Sequence, residues 1–168
     1  MFELETQRLH LRPFTADDVD DLAPIYADAE VMRFIGSGKP RNREETLSWL
    51  AGMLRHWEKH GFGMWATIDK GTNVLIGRSG LCFLDNTGEV EVGYLLAKAY
   101  WGKGLATEAA AAGLRFGFEE LRLGRIVAVA QHANRASRRV LEKIGMQYEK
   151  DARYYQTDVA YYAIARKG

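Results

Sequence analysis

The stretch from Glu91 to Glu108, EVGYLLAKAYWGKGLATE, holds the residues whose types and spacing are most open to a chemical interpretation. It begins as a strand, because Val90, Val92, Tyr94, Leu95 and Leu96 are β-branched, aromatic or large and apolar. At Lys98 to Trp101 the pattern breaks into a short loop carrying Gly102 and Gly104. From Leu105 it becomes helix-forming, with Thr107 and Glu108 in the first turn and an alanine run behind them. A glycine loop between a strand end and a helix start leaves backbone N–H groups free at the positive end of the helix dipole, an arrangement that suits a phosphate or pyrophosphate. A side chain at Gly102 or Gly104 would hold such an anion off. The same two glycines equally serve an ordinary strand-to-helix turn that needs their backbone angles, and spacing alone leaves both alternatives open.

Other candidate motifs fail on inspection. Gly36-Ser37-Gly38-Lys39-Pro40 resembles the end of a Walker A loop, but Arg33 stands where the first glycine belongs and Pro40 where Ser or Thr must hold Mg²⁺. The loop Gly102 to Thr107 has two glycines of a dinucleotide fingerprint but Thr107 in place of the third. The following strand ends in Gln131-His132, not in an acidic ribose ligand. Gly77-Arg78-Ser79-Gly80 is one residue too short for a nucleophile elbow. Of His10, His56, His60 and His132, only His56 and His60 share a helical spacing. They lack the glutamate placement of a zinc protease and fit a solvated helix face. No ligand cluster for a metal is present, so none is expected.

Leu4 to Phe14, the first of the elements that must position the glycine loop, has the alternation of one strand, closed by Pro13. Thr15-Ala16-Asp17-Asp18 has the chemistry of a helix start, with Val19, Leu22, Ala23 and Tyr26 behind it at helical spacing. A short helical piece covers 29–34. Arg43 to His60 predicts a helix with Leu47, Leu50, Ala51, Leu54 and Trp57 on one face, stopped by Gly61. Met64 to Asp69 and Val74 to Phe83 predict a hairpin, and Asp85 to Gly88 a turn into the strand before the glycine loop. Beyond the loop come a helix over about 105–121 and a strand over 125–131. Asn134 then caps a helix whose Ala136, Val140 and Ile144 share a face and whose stop is Gly145. A final hairpin, about 147–154 and 158–166, turns at Gln156-Thr157. With no repeat or low-complexity linker, the 168 residues are expected to form one α/β or α+β domain on a mixed sheet.

Composition limits the function classes. A hydrophobic share of 47% and a charged share of 27% are ordinary for a globular protein, and a net charge of +1 supplies no general attraction to nucleic acid or acidic membranes. No apolar run approaches a bilayer-spanning length, and Met1 to Glu5 has no signal-peptide character. A single cysteine, Cys82, within an apolar run fits a small core residue in a reducing compartment. The expectation is a cytoplasmic protein without nucleic-acid or membrane partners.

Three separated segments carry a family resemblance. Tyr100 to Ala109, YWGKGLATEA, preceded by Glu91-Val92-Gly93-Tyr94, resembles the acyl-CoA-binding signature of the GNAT superfamily of N-acetyltransferases. Leu4 to Phe14 and Asn134 to Gly145 resemble the RimJ/RimL-like branch of that superfamily, which acetylates the N-terminal amines of ribosomal proteins. Trp101 occupies a slot that usually holds Gln or Arg in the superfamily, and is common in this branch. The resemblance implies a mostly antiparallel mixed sheet flanked by helices, with a splayed strand pair forming the acyl-CoA cleft.

For individual residues, the resemblance implies that backbone at Leu95, Leu96 and Ala97 binds the pantetheine arm like an added strand. Gly102, Lys103, Gly104, Leu105, Ala106 and Thr107 would hold the pyrophosphate, with Lys103 adding charge. Asn134 would reach the cofactor or cap its helix, and both roles can coexist. Arg138, Arg139 and Lys143 are weaker phosphate candidates, for which a solvated helix face serves as well. Glu91 matches a strand glutamate that acts as base in some members, and Ser137 a serine suggested as proton donor to the sulfur. A helix tyrosine used elsewhere as the acid is replaced by Leu141. Phe34, Trp65, Tyr94, Tyr154 and Tyr155 are candidate acceptor walls. The implied function is acetyl transfer from acetyl-CoA to a primary amine, either a protein N-terminus or a small molecule, and dimerisation is compatible with the family. The alternatives are a non-catalytic acyl-CoA-binding or sensor module, or a nucleotide-dependent enzyme using the same loop.

Overall fold

In the computed structural model, which describes residues 1–168, the chain order is β1 (Leu4–Glu5), β2 (Leu9–Arg12), α1 (Val19–Tyr26), α2 (Ala29–Met32), α3 (Arg43–His60), β3 (Met64–Asp69), β4 (Val74–Phe83), β5 (Val90–Leu96), α4 (Leu105–Glu119), β6 (Arg125–Ala130), α5 (Arg135–Lys143), β7 (Gln147–Tyr154) and β8 (Thr157–Ala165). The strands form one eight-stranded sheet in the order β1-β2-β3-β4-β5-β6-β8-β7. Every neighbouring pair is antiparallel except β5–β6, so the sheet is the mixed, mostly antiparallel one expected.

Strand alternation sorts the helices between the two faces. Trp65, paired with Ser79, packs edge-on against Phe116 of α4, and Gly113 of α4 sits over Val92. Helix α4 therefore covers the face that carries Val92, Tyr94 and Leu96. The opposite face carries Arg78, Cys82 and Glu91, and there Arg78 packs against Tyr26 of α1 and Trp49 of α3. The core between these layers is aromatic and aliphatic, with Trp57, Trp65, Tyr26 and Met32 among its fully buried members.

Most predicted elements stand where expected, and the differences have identifiable causes. The single strand predicted for Leu4 to Phe14 is instead two strands folded on each other, because the chain turns at Thr6–Arg8. The Thr6 N–H donates to the Leu9 carbonyl at 2.9 Å, and the Leu9 N–H to the Thr6 hydroxyl at 3.0 Å. Glu108 of α4 then accepts from the Thr6 hydroxyl and from the Arg8 N–H and Nε. In α3, Leu50 and Trp57 are buried and Leu54 packs against the core as predicted, but the stripe is completed by Thr46 and Met53, and Leu47 is exposed. The Trp57 indole anchors the helix to β3 by donating to the Met64 carbonyl at 2.8 Å. In α5, Val140 and Ile144 pack against the core as predicted, but the fully buried residue is Leu141 and Ala136 is exposed. His56 is not on a solvated face: its Nδ1 pairs with the Phe62 carbonyl and its ring packs against Phe62 and Phe83. The last hairpin turns at Tyr155-Gln156, one residue earlier than predicted, with φ of 54° and 60°. Asp85 holds that turn: its carboxylate accepts the Tyr155 N–H at 2.8 Å, and its own N–H donates to the Tyr155 hydroxyl at 2.9 Å. No helix is long and apolar enough to cross a membrane.

Gly77 lets β4 and β5 come together at the end where β5 runs into the glycine loop. A Cβ there would lie 2.0 Å from the Leu95 carbonyl oxygen and 2.9 Å from the Leu96 Cα, both backbone atoms that cannot swing aside. Gly77→Ala is therefore expected to lower the thermal midpoint by roughly 5–10 °C, the consequence of a few kcal/mol of overpacking in a chain of this size. An unchanged midpoint in a thermal melt would show that the two strands are not in this contact.

Candidate active site

Strands β5 and β6 run parallel but share a single register pair, Glu91 with Val127. Beyond it they diverge, leaving one edge of β5 without a partner strand. The Ala97 N–H donates to the Ile76 carbonyl at 2.8 Å, which sets the alternation along β5. Leu95 and Ala97 therefore turn their N–H groups toward β4, whereas Tyr94 and Leu96 turn their backbone groups to the open edge. The Leu96 carbonyl accepts from the Trp101 indole at 2.9 Å, and its N–H faces the cleft. Of the three residues expected to present backbone there, only Leu96 does so. The Ala97 carbonyl is also engaged, by the Tyr100 N–H.

The glycine loop continues from that edge. Gly102 and Gly104 have φ of 73° and 78°, the left-handed region that favours glycine. The first helical bond of α4 is Glu108 N–H to Gly104 carbonyl at 3.1 Å, so the N–H groups of residues 102–107 have no acceptor within the protein. A Cβ at Gly102 would meet no atom within 4 Å, which leaves the approach to these donors open. Arg8 holds the loop in place: its Nη1 donates to the Lys103 carbonyl at 2.8 Å while its Nε pairs with Glu108 at 2.9 Å. Sequence reasoning missed this clamp because its two halves lie about a hundred residues apart. Six unpaired N–H groups with Lys103 beside them fit the pyrophosphate of an acyl-CoA. Arg138 is committed to the Tyr162 hydroxyl at 3.0 Å.

On the α1/α3 side of the sheet, Glu91 is only 9% exposed. Burial pushes its carboxyl up to about 7, against the downward pull of hydrogen bonds from Tyr155 and Cys82. The Tyr155 hydroxyl donates to Glu91 Oε1, and the Cys82 thiol, directly opposite on β4, lies 3.7 Å from the same oxygen. Burial also pushes the Cys82 thiol and the Tyr155 phenol far up, so both remain protonated donors near neutral pH. Cys82 packs against the core as its sequence context suggested, and it also sets a thiol against Glu91. Phe34, Tyr154 and Tyr155 line one cavity of about 50 Å³ together with Gly36 and Gln131. Trp65 is no acceptor wall: it is fully buried, with its indole donating to the Phe2 carbonyl.

On the α4/α5 side, Asn134 caps α5 by accepting the Ser137 N–H at 3.2 Å. The Ser137 hydroxyl lies 2.8 Å from the Tyr94 hydroxyl, which also reaches the Ser137 carbonyl at 3.0 Å. Burial holds the Tyr94 phenol well above its usual value. Glu91 and Tyr94 leave β5 on opposite faces, so a titratable carboxylate and a hydroxyl pair flank the unpaired strand edge from its two sides.

The family model described as an acetyltransferase (GNAT) domain matches residues 8–147. The uncharacterized protein YkkB of Bacillus subtilis is 34% identical over 95% of this chain and 94% of its own. An acetyltransferase of the GNAT family from Bacillus anthracis superimposes with a TM-score of 0.82 at 30% identity, covering 98% of each chain. RimL, a ribosomal L7/L12 α-N-protein acetyltransferase solved with coenzyme A, has the same fold at a TM-score of 0.83 and 17% identity, with 98% of each chain covered. With the unpaired β5 edge, the free N–H groups of the glycine loop and this match in agreement, the chain belongs to the GNAT family and is an acetyl-CoA-dependent acetyltransferase.

Proposed function

We propose that the enzyme moves an acetyl group from acetyl-CoA directly to a primary amine, the α-amine of a protein N-terminus or that of a small molecule, within a ternary complex. The observation that carries this is the placement of Glu91 and the Tyr94–Ser137 pair on opposite sides of one strand edge. The thioester supplies the acyl group and a sulfur leaving group. The protein's part is positioning and proton traffic.

An amine is mostly ammonium near neutral pH and must lose a proton before it can attack. Glu91, poised near 7, accepts that proton directly or through a water, and the Tyr155 hydroxyl stabilises the carboxylate while it waits. As the amine nitrogen bonds to the carbonyl carbon, negative charge builds on the carbonyl oxygen, and the Leu96 N–H donates to it. When the carbon–sulfur bond breaks, the nitrogen gives up its second proton to solvent, and the Ser137 hydroxyl, linked to Tyr94, protonates the thiolate and is itself reprotonated from solvent. The N–H groups of residues 102–107 and Lys103 anchor the pyrophosphate, fixing where the sulfur lies.

Free-thiol release from acetyl-CoA against N-terminal peptides, polyamines, aminoglycosides and amino acids tests the activity. Release with at least one class is expected, and none with any primary amine would overturn the proposal. Glu91→Gln is expected to lower turnover at pH 7.5 by about 10²–10⁴, the usual contribution of a positioned base, without weakening acetyl-CoA binding. Equal activity of the two proteins would remove Glu91 from the mechanism. In the wild type, kcat should rise as the pH passes through about 7.

Stability supplies a separate check on Glu91. Its carboxyl is held above the ordinary 4.5, so the unfolded chain gives up this proton earlier than the folded one. The fold therefore loses stability as the pH climbs from 4.5 to about 7. Glu91→Gln should melt higher than wild type at pH 8, with the gap narrowing toward pH 5. A gap of constant size across that range would mean that Glu91 is not held in its protonated form by burial.

A further inference from the structure

Two arginines on the α1/α3 side of the sheet, the side that carries Glu91, have no acid paired to them. Arg78 of β4 and Arg41, in the loop before α3, both pack on the Tyr26 ring, with guanidinium-to-centroid distances of 5.9 and 4.8 Å. Arg78 also lies 5.3 Å from the Trp49 ring, and its Nε donates to the Tyr26 hydroxyl at 2.6 Å. Neither guanidinium has a carboxylate within ion-pairing distance, although Asp and Glu side chains elsewhere pair freely with Arg8, Arg12, Arg43, Arg125 and Arg153. The Nη1 of Arg41 is buried with no hydrogen-bond partner at all. Glu45, one helical turn further along the chain, is turned back to the Asn42 N–H in the cap of α3.

Two like charges held together in a partly desolvated aromatic pocket repel each other, and a buried donor without a partner is costly. Such an arrangement is stabilised by an anion that enters from outside. The geometry also gives that anion a direction. Arg78, Gly80 and Cys82 share a face of β4, and Glu91 lies opposite Cys82 on the same face. The residue pair between these two rows is Gly80 with Gly93, so the only cover on that stretch of strand comes from other elements. Arg78 Nη1 reaches along it, to 4.0 Å from where a Gly93 Cβ would stand, and the Met64 methyl covers the same point. Gly93 and Glu91 are one pleat apart, about 7 Å. A guanidinium that reaches Gly93 and a proton-accepting carboxylate one pleat further along the same face suit a molecule with an anionic group at one end and an amine a few bonds away.

We propose that Arg41 and Arg78 form the carboxylate-binding end of the acceptor site, and that the preferred acceptor is a small amine bearing its own carboxylate, such as a free amino acid. This rests on the acetyl-transfer proposal above and narrows its acceptor class. The planar guanidinium of Arg78 can hold a carboxylate through two parallel N–H···O bonds, while Arg41 supplies the donor that is now unpaired. The amine then points toward Glu91, on the face away from α4 and α5. A peptide N-terminus, whose carboxylate is remote, lacks this contact.

The test compares kcat/KM for alanine, methionine, phenylalanine and aspartate with the same residues as amides and at the N-terminus of a tripeptide amide. The free acids are expected to exceed their amides by about tenfold or more, the weight of a charge-assisted bidentate contact. That ratio should fall toward one in Arg78→Met, and also in Arg41→Gln, which changes a partly exposed loop residue and guards against a folding defect in the first variant. Amides or peptides matching the free acids in the wild type, or a ratio untouched in both variants, would overturn the proposal. Failure of the acetyl-transfer proposal would look different, with no acetylation in any series. In that case calorimetry with N-acetylmethionine and its amide still decides. Binding of the acid alone, lost in Arg41→Gln, would uphold the anion site, and equal binding or none would overturn it.

Discussion

The fold is organised by a meeting of two strands that lasts for one residue pair. Parallel strands joined along their length satisfy each other's backbone groups, and β5 and β6 stop doing so after Glu91 and Val127. From there on, β5 presents an edge inside the sheet, neither covered by a strand nor blunted by a charge. Trp101 satisfies the Leu96 carbonyl, but nothing in the chain satisfies the Leu96 N–H or the six N–H groups of residues 102–107. A run of donors this long, leading from a strand edge into a helix N-terminus, matches an elongated ligand with acceptors along an arm and a diphosphate at its end. The rest of the structure maintains that split. Gly77 keeps β5 tight against β4, Arg8 and Glu108 pin the loop to the N-terminal hairpin, and Asp85 ties the last hairpin to the turn before β5.

The chemistry grows out of the same split, because a strand edge has two faces. On one, burial and the Tyr155 and Cys82 donors hold a carboxyl near neutrality. On the other, Ser137 and Tyr94 close a hydroxyl pair across from α5 to β5. In the mechanism we propose, proton removal from the amine and protonation of the sulfur therefore fall on different sides of the reacting carbon. This lets an ordinary carboxylate and an ordinary alcohol perform opposite tasks without competing for the same proton.

What could be read from the sequence was governed by the range of the forces involved. β3 and β4 were delimited to the residue, and α3 likewise, because alternation, turn residues and glycine stops are local. The N-terminal hairpin was read as one strand because the turn is held by Glu108, far along the chain. The predicted faces of α3 and α5 hold at Leu50, Leu54, Trp57, Val140 and Ile144 but omit Met53 and Leu141, whose burial is decided by the elements that pack on them. At the site, the glycine loop is legible in local spacing, while Glu91 and Ser137 are supplied by motif resemblance. Their partners Tyr155, Cys82, Tyr94 and Arg8, and the unpaired Arg41 and Arg78, are products of tertiary contact.

If the unpaired backbone donors of Leu96 and residues 102–107 are where acetyl-CoA is held, the ligand must change how those amides exchange with solvent. Amide hydrogen exchange in the presence and absence of acetyl-CoA tests this directly, because these N–H groups have no acceptor in the free protein and exchange without structural protection. Bound acetyl-CoA is expected to slow exchange at Leu96 and across 102–107. Strong binding that leaves those amides unprotected while protecting another surface, such as the groove lined by Phe118, Ile144 and Ile164, would contradict it.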